Sequence, residues 1–389
     1  MMINAAEVIS EFKQIDKPIR VIAEESADGV IAAYIFCEFL KKNGKRFILS
    51  FEKKNISEVK EDYEHIVLIS SYEPRNKVFK HFGVDNGDIN VKSFGIDASS
   101  LSEVVFFFCN GNVDFSDYGH LVVALNLGNI KGYCGKILEN CVKDKKIVLK
   151  RGLRFFNDSS REIVQAVKHG YDPCLKSVFG DENKAVGFLK RAKIKDFQDE
   201  KRTIAELDDN ESKSLLAEVL LDMIGLDEHE PFETLYFKDG HDLRVVKEMI
   251  GVCLKYHKLG IAYGFLNGHQ GDVKMTRELY DNYSLEMIKA LRKIFEAKQG
   301  KKMVIHLGEI SDFLAEDLIL FVNERKIADK PFFVLYFDIN HDTFLAGLIS
   351  KEYFEEISEK IEGFGKFSFE DGKFKGKVFD EEGFIKLFQ

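Results

Sequence analysis

The residues of this chain with chemistry to offer collect just after short apolar runs. EESADG (Glu24–Gly29) ends the run RVIAEE, SSYE (Ser70–Glu73) ends HIVLISS, IDASS (Ile96–Ser100) ends SFGIDAS, and LGNIKG (Leu127–Gly132) ends HLVVALNLG. Together they bring the carboxylates of Glu24, Asp28 and Asp97, the hydroxyls of Ser26, Ser70 and Ser99, the amide of Asn129 and the bare methyl of Ala98. A serine is a nucleophile only beside a base, and none is evident near Ser70 or Ser71, which sets a serine hydrolase aside. Asp28-Gly29 suits a tight strand-to-helix turn with the aspartate capping the helix, and Asp97 suits the capping of a loop amide. Lys150, Arg151, Arg154 and Arg161 surround Phe155 and Phe156. Cations interleaved with aromatic rings can hold single-stranded nucleic acid, although the two phenylalanines read first as helix core.

Other reactive types are scattered. His241, His257, His269 and His306 have no ligand-like partner at i+4, and no GxxxxGK[ST] is present, which excludes a phosphate-loop ATPase. The six cysteines (Cys37, Cys109, Cys134, Cys141, Cys174 and Cys253) form no CxxC pair. They read as reduced core residues rather than a zinc site or disulfide framework.

The elements that must position these groups follow from hydrophobic period. RVIAEE (Arg20–Glu25), RFILSFE, HIVLISS (His65–Ser71) and SFGIDAS (Ser93–Ser99) read as strands, and VVFFFCN (Val104–Asn110) as a further strand candidate of ambiguous type. GVIAAYIFCEFLKKNG, HLVVALNLG and KGYCGKILENCVKD read as helices, the first stopped by Gly44 and the second by Gly128. Strands interleaved with helices imply a mostly parallel sheet, whose ligand sites form beyond the carboxyl ends of the strands. Between about Asp158 and Leu226 the pattern is helical, with turns at GYDP and GDEN. Beyond Pro231 come one long helix through VVKEMIGVCLKYHKLG, another through TRELYDNYSLEMIKALRKIFEAKQG, strands MVIHLGE, FFVLYFD and FLAGLIS, and a glycine- and phenylalanine-rich tail that fits a hairpin and a last helix.

Composition bounds the function. The chain has 389 residues, 45% hydrophobic and 31% charged, and a net charge of −9, so its surface as a whole does not favour nucleic acid. The charge is uneven: Cys141–Arg202 has 16 Lys/Arg against 9 Asp/Glu, whereas Thr203–Glu233 has ten acids and one lysine. No run approaches the ~18–20 apolar residues that span a bilayer, and the opening MMINAAEVISEF lacks a basic start followed by an apolar stretch. A soluble cytoplasmic protein without membrane contact is the expectation.

The four strand-end segments resemble the DHH-family phosphoesterases, in which these places carry HxDxDG, a lone Asp, DHH and a second lone Asp. The resemblance continues through KGYCGKILENCVKDKKIVLKRGLRFFNDSSREIVQAVKHGYDP, GDENKAVGFLKRAKIK and HDLRVVKEMIGVCLKYHKLGIAYGFLNGHQGD. These look like the archaeal RecJ-like, GINS-associated nucleases and cover roughly Arg20 to Asn282. It implies an α/β fold: an N-terminal DHH domain (1–157) with a mostly parallel sheet, a helical connector (158–230) and a C-terminal DHHA1-like α/β domain (231–389).

The resemblance also implies a two-cation site, and here the sequence departs from it. HxDxDG has become Glu24, Ser26 and Asp28; the lone Asp is Ser70 or Ser71; DHH is Asp97-Ala98-Ser99; the last Asp is Asn129. Two manganese ions need several anionic ligands to offset their repulsion, and serine, alanine and asparagine cannot supply them. No cofactor is expected, with a single magnesium or manganese on Asp28 and Asp97 as the weak alternative. The family's GGH phosphate clamp is replaced by IEGFGKFSFEDGKFKGKVFDEEGFIKLF, whose Gly363 and Gly365 read as hairpin glycines. The implied function is a catalytically inactive or impaired replication or repair scaffold, similar in logic to the inactive RecJ-like subunit of the eukaryotic replicative helicase. Its implied partners are the GINS complex, the MCM helicase and single-stranded DNA at Lys150, Arg151, Arg154 and Arg161. The alternatives are a Mn/Mg-dependent 5′→3′ single-strand exonuclease with an altered site, and a regulatory partner of an active RecJ-like paralog.

Overall fold

A computed structural model describes residues 5–53, 65–72, 78, 80–85, 89–90, 96–110, 116–153, 159–197, 202–223, 232–299, 304–327, 332–337, 342–348, 351–370 and 373–387. In chain order the elements begin with α1 (Ala5–Gln14), β1 (Ile19–Glu24), α2 (Ala27–Lys42), β2 (Phe47–Glu52), β3 (Ile66–Ile69), β4 (Lys80–Phe82) and α3 (Leu101–Asn110). Next come α4 (Gly119–Leu125), α5 (Gly132–Lys143), β5 (Val148–Leu153), α6 (Ile163–His169), α7 (Glu182–Arg191), α8 (Asp209–Asp222), β6 (Phe232–Lys238) and β7 (His241–Asp242). The rest are α9 (Arg244–Lys255), α10 (Leu259–Leu266), α11 (Gln270–Gln299), β8 (Val304–Glu309), α12 (Asp312–Glu324), β9 (Phe332–Phe337) and β10 (Thr343–Leu348). They end with α13 (Lys351–Ile361), β11 (Gly365–Glu370), β12 (Lys373–Val378) and α14 (Glu381–Leu387).

The chain divides into two compact units, Met1–Arg151 with Thr234–Tyr280, and Gly152–Glu233 with Asp281–Gln389. These cuts differ from 1–157, 158–230 and 231–389. Residues 234–280 belong with the N-terminal sheet because Leu243, Ile250, Cys253 and Ala262 are buried in its core.

The first unit is built on a parallel sheet of order β2-β1-β3-β4. Central strands buried on both faces read as unbroken apolar runs, and Val21–Ala23 and Val67–Ile69 are such runs, fully buried. Between β1 and β2, α2 is buried at every position from Gly29 to Cys37. Phe12, Phe36, Phe39, Phe82 and Phe108 meet with ring centroids 5.1–6.5 Å apart, mostly edge to face. Burying one such ring is worth roughly 2–3 kcal/mol, so this cluster accounts for much of a core that contains phenylalanine but no tryptophan.

Two strand readings in this unit are corrected. Val104–Asn110 is helical, within α3, because Ser100-Leu-Ser-Glu103 forms a capped helix start: the Ser100 hydroxyl accepts the Glu103 N–H at 3.3 Å and donates back to Glu103 Oε1 at 3.0 Å. Residues 96–99 of SFGIDAS are not in a strand, and its first three residues lie outside the described ones. The fourth strand is instead the three-residue β4. Further on, the single long helix expected through VVKEMIGVCLKYHKLG is two, α9 and α10, broken where His257 takes a φ of 54°. A small sheet of order β5-β6-β7 falls mostly in this unit.

The second unit contains the helices α6, α7 and α8 around Ile163, Val167, Phe188, Leu189, Leu215 and Val219. Asp208 caps α8, its Oδ1 accepting the N–H groups of Asn210 and Glu211 at 2.8 Å. The unit's sheet has the order β11-β12-β10-β9-β8; β8 and β9 are parallel and joined through α12, and the other neighbours are antiparallel. In the tail, a Cβ on Gly365 would stand 2.3 Å from the Lys377 carbonyl, and one on Gly376 2.2 Å from the Lys366 carbonyl. Gly365 is thus a hairpin glycine, and Gly363 sits in the one-turn helix Glu362–Phe364 before it. Among the described residues no helix is long and apolar enough to cross a membrane.

Candidate functional site

β1 ends on Glu24, and the chain turns back so tightly that a Cβ on Gly29 would come within 2.1 Å of the Glu24 carbonyl oxygen. The cap of α2 is the Ser26 hydroxyl, which accepts the Gly29 N–H at 3.0 Å. Asp28, expected to cap that helix, caps another. Its Oδ2 accepts the Leu101 N–H at 2.6 Å and its Oδ1 the Ser102 N–H at 2.8 Å, at the start of α3. The first amides of a helix have no intrahelical acceptor and carry the positive end of its dipole, so a carboxylate is stabilised there. Burial pushes the Asp28 carboxyl above the usual carboxylate range; the hydrogen bonds from Ser102 and Leu101 pull it down, and the Glu24 charge adds to the rise.

The other strand-end residues are similarly committed. Glu24 Oε2 accepts the Ser71 N–H at 2.9 Å. Ser70 is fully buried at the end of β3: its hydroxyl accepts the Tyr72 N–H at 3.0 Å, its N–H donates to the Phe82 carbonyl, and its own carbonyl lies 3.0 Å from His81 Nε2. Asp97 is exposed, and its backbone carbonyl, rather than the side chain, takes a loop amide, that of Tyr133 at 2.7 Å. Gly132, at a φ of 54°, lies against it; a Cβ there would stand 2.3 Å from the Asp97 carbonyl and 2.7 Å from Oδ2. Ala98 packs against the core. Asn129 is exposed in the turn before α5, its N–H donating to the Asn126 carbonyl. The segments of Glu24–Asp28, Ser70–Ser71, Asp97–Ser102 and Gly132–Cys134 are therefore tied together, while Asn129 stands apart.

The acid that organises this region is Glu103, which strand-end reasoning missed. It is fully buried. Its Oε1 accepts the Ser99 N–H at 3.2 Å and the hydroxyls of Ser99 and Ser100 at 3.1 and 3.0 Å, and its Oε2 accepts the Cys134 N–H at 3.1 Å. The S-x-x-E spacing of Ser100 and Glu103 was the sequence signal for it.

A two-cation centre needs several uncommitted anions converging on one point. Both oxygens of Asp28 already take helix amides, Glu24 takes an amide, and Glu103 takes four donors. The described residues include no group of three or more His, Cys, Asp or Glu placed to hold a metal ion. This donor set does not fit a pair of metal ions; what it does is fasten a helix start to two strand ends.

The basic residues fall in different units. Lys150 and Arg151 are exposed on β5 in the first unit, and Arg154, Phe155 and Phe156 lie outside the described residues. Arg161, in the second unit, is held by Asp281 through Nη1–Oδ1 at 2.6 Å and Nη2–Oδ2 at 3.0 Å, a bidentate pair that occupies its guanidinium. Of the histidines singled out in the sequence, His257 lies 3.3 Å from Glu25, His269 3.3 Å from Asp272 and His306 3.1 Å from Glu381. The six cysteines are free and buried.

No family model matches the chain, and no curated protein matches it in sequence. Solved structures do. CDC45 from Entamoeba histolytica superposes with a TM-score of 0.53 at 12% identity, covering 100% of both chains. The exonuclease RecJ bound to manganese gives 0.49 at 10% identity over 99% of this chain and 91% of that one. RecJ from Thermus thermophilus in complex with Mg2+ gives 0.44 at 10% identity, over 99% of this chain and 50% of that one. The likeness to the Entamoeba protein shows the fold that the two chains share.

Proposed function

We propose that this chain, which has a diverged RecJ-like DHH fold, works as a non-hydrolytic scaffold in DNA replication or repair. The observation that carries the reading is Asp28: the aspartate at the place of a metal ligand has both oxygens on the first amides of α3. A carboxylate in that role stabilises a helix start, and the hydroxyls and amide at Ser26, Ser70, Ser99 and Asn129 are weak ligands for a hard divalent cation. The chain then contributes surfaces rather than turnover. By the family resemblance its partners are the GINS complex and the MCM helicase, or an active RecJ-like paralog that it regulates, with single-stranded DNA as a further contact. No resident metal is part of the function.

The test is an assay of 5′-labelled single strands in millimolar manganese or magnesium. The expected result is no release of nucleotides above the background of the Asp28→Ala, Asp97→Ala double variant. Metal-dependent turnover that disappears in the double variant would instead establish a nuclease with an altered site. Isothermal titration of manganese alone reads the metal question separately, and no binding at micromolar concentration is expected.

A further inference from the structure

β5 is exposed where a strand is normally covered. Val148 is 59% and Leu149 45% exposed, and Lys150 and Arg151 are exposed as well. Successive side chains of a strand point to opposite faces, so both faces of the strand are open along these four residues. Among the described residues, the sheet order β5-β6-β7 also leaves β5 with a neighbour on one side only. An edge with apolar side chains and open backbone groups is a template for another extended segment.

From this geometry we infer that the edge of β5 at Val148–Arg151 binds an extended acidic and apolar peptide segment of a partner protein by strand addition. Charge chooses the partner. Lys143 and Lys145, exposed just before the strand, join Lys150 and Arg151, with only Asp144 of opposite sign exposed among Lys143–Arg151 and with Lys146 held by Asp117 at 2.9 Å. Single-stranded DNA would use the cations, but it gains nothing from Val148 and Leu149, and Ile147–Leu153 contains no aromatic ring on which a base could stack. A second copy pairing β5 with β5 would set like charges across the new ladder, which is destabilising. The inference rests on the reading of the chain as a scaffold, for which it supplies a docking surface.

The experiment uses the full chain and a fluorescein-labelled ten-residue peptide of alternating valine and glutamate. A valine–lysine peptide and a twenty-residue oligothymidine serve as the other probes. The glutamate peptide should bind, and hydrogen exchange of the amides of Val148–Arg151 should slow on its addition. The double variant Lys150→Glu, Arg151→Glu, at exposed positions and checked for an unchanged thermal transition, should weaken the glutamate peptide at least tenfold and favour the lysine peptide. Absence of binding, binding without protection of those four amides, protection by oligothymidine alone, or a dimer in sedimentation that shields the strand would each overturn the proposal. Strand cleavage in the nuclease assay with peptide binding intact would remove the scaffold reading and leave this one standing.

Discussion

The strand-end region of the first unit and the second unit hold their acids by different means, although elsewhere in the first unit the fully buried Asp242 takes Arg244. In the first, Asp28 and Glu103 are satisfied by backbone amides and serine hydroxyls. In the second, Asp281 takes Arg161, Asp172 takes Arg325, and Glu211 takes Arg202, although Asp222, which accepts the N–H and hydroxyl of Ser177, is built the first way. An acid held by amides draws on donors that the backbone must satisfy anyway, so it adds a helix cap without desolvating a second side-chain charge. An acid held by arginine desolvates two charges, and the pair is costly to break because one is left behind. A strand-end carboxylate can therefore serve the fold, as Asp28 does at the start of α3.

The sharpest way to break this contrast is to delete its central groups. Glu103→Ala should cost about 3–5 kcal/mol, since two amides and two hydroxyls lose a shared acceptor together. Glu103→Gln should recover more than half of that, because an amide oxygen still accepts. In the second unit Arg202→Met should cost roughly 2 kcal/mol by leaving Glu211 with the amides of Lys195 and Asp208 and no counter-charge, and the further change Glu211→Gln should restore part of it. Urea titration gives each value. Equal losses for Glu103→Ala and Glu103→Gln would show that packing, not hydrogen bonding, is the cause.

Acid should weaken both units. Burial lowers His120 in the first unit and His169 in the second to about 4, with Lys238 and Arg161 respectively adding to the fall. The unfolded chain binds protons near 6.5 and the folded one resists to about 4, so stability is complete above 6.5 and lost as pH drops through that window. Each histidine should contribute on the order of 2 kcal/mol. Urea midpoints at pH 7.5, 6 and 5 should fall in step, and replacing His120 by Asn should flatten the slope by about half.

The smallest effect concerns Asp28. Asp28→Asn keeps one acceptor for α3 and should cost about 1 kcal/mol at pH 7. Because the folded-state carboxyl lies above its usual range, Asp28 favours the folded chain most at low pH and loses that advantage as pH rises. The penalty of the variant should therefore be larger at pH 4 than at pH 7.

Much of this was legible in the sequence, for identifiable reasons. β1, α2, β2 and β3 follow from apolar runs and a glycine stop. β4 did not, since its three residues carry no period and are fixed by pairing with Val67–Ile69 on one side and Ile89 on the other. α3 was ambiguous because a Val-Phe run suits both states, and the Ser100–Glu103 cap that decides it is polar. The positions of the strand-end residues were visible, but their partners were not: Asp28 meets amides 73 and 74 residues away, a relation that no local pattern encodes. The packing of residues 234–280 with the first unit was hidden for the same reason.

The engagement of Asp28 with α3 has a consequence for anyone who would design a metal centre at these strand ends. Imidazoles placed at Ala98 and Ser99 and acids at Ser70 and Asn129 would supply ligands, yet the neighbouring aspartate already serves a helix start. Freeing it would leave α3 with the Ser100–Glu103 cap alone, and leaving it in place would withhold a ligand. Metal binding and folding would thus compete for one side chain, and a designed centre would have to bring a new acceptor with it.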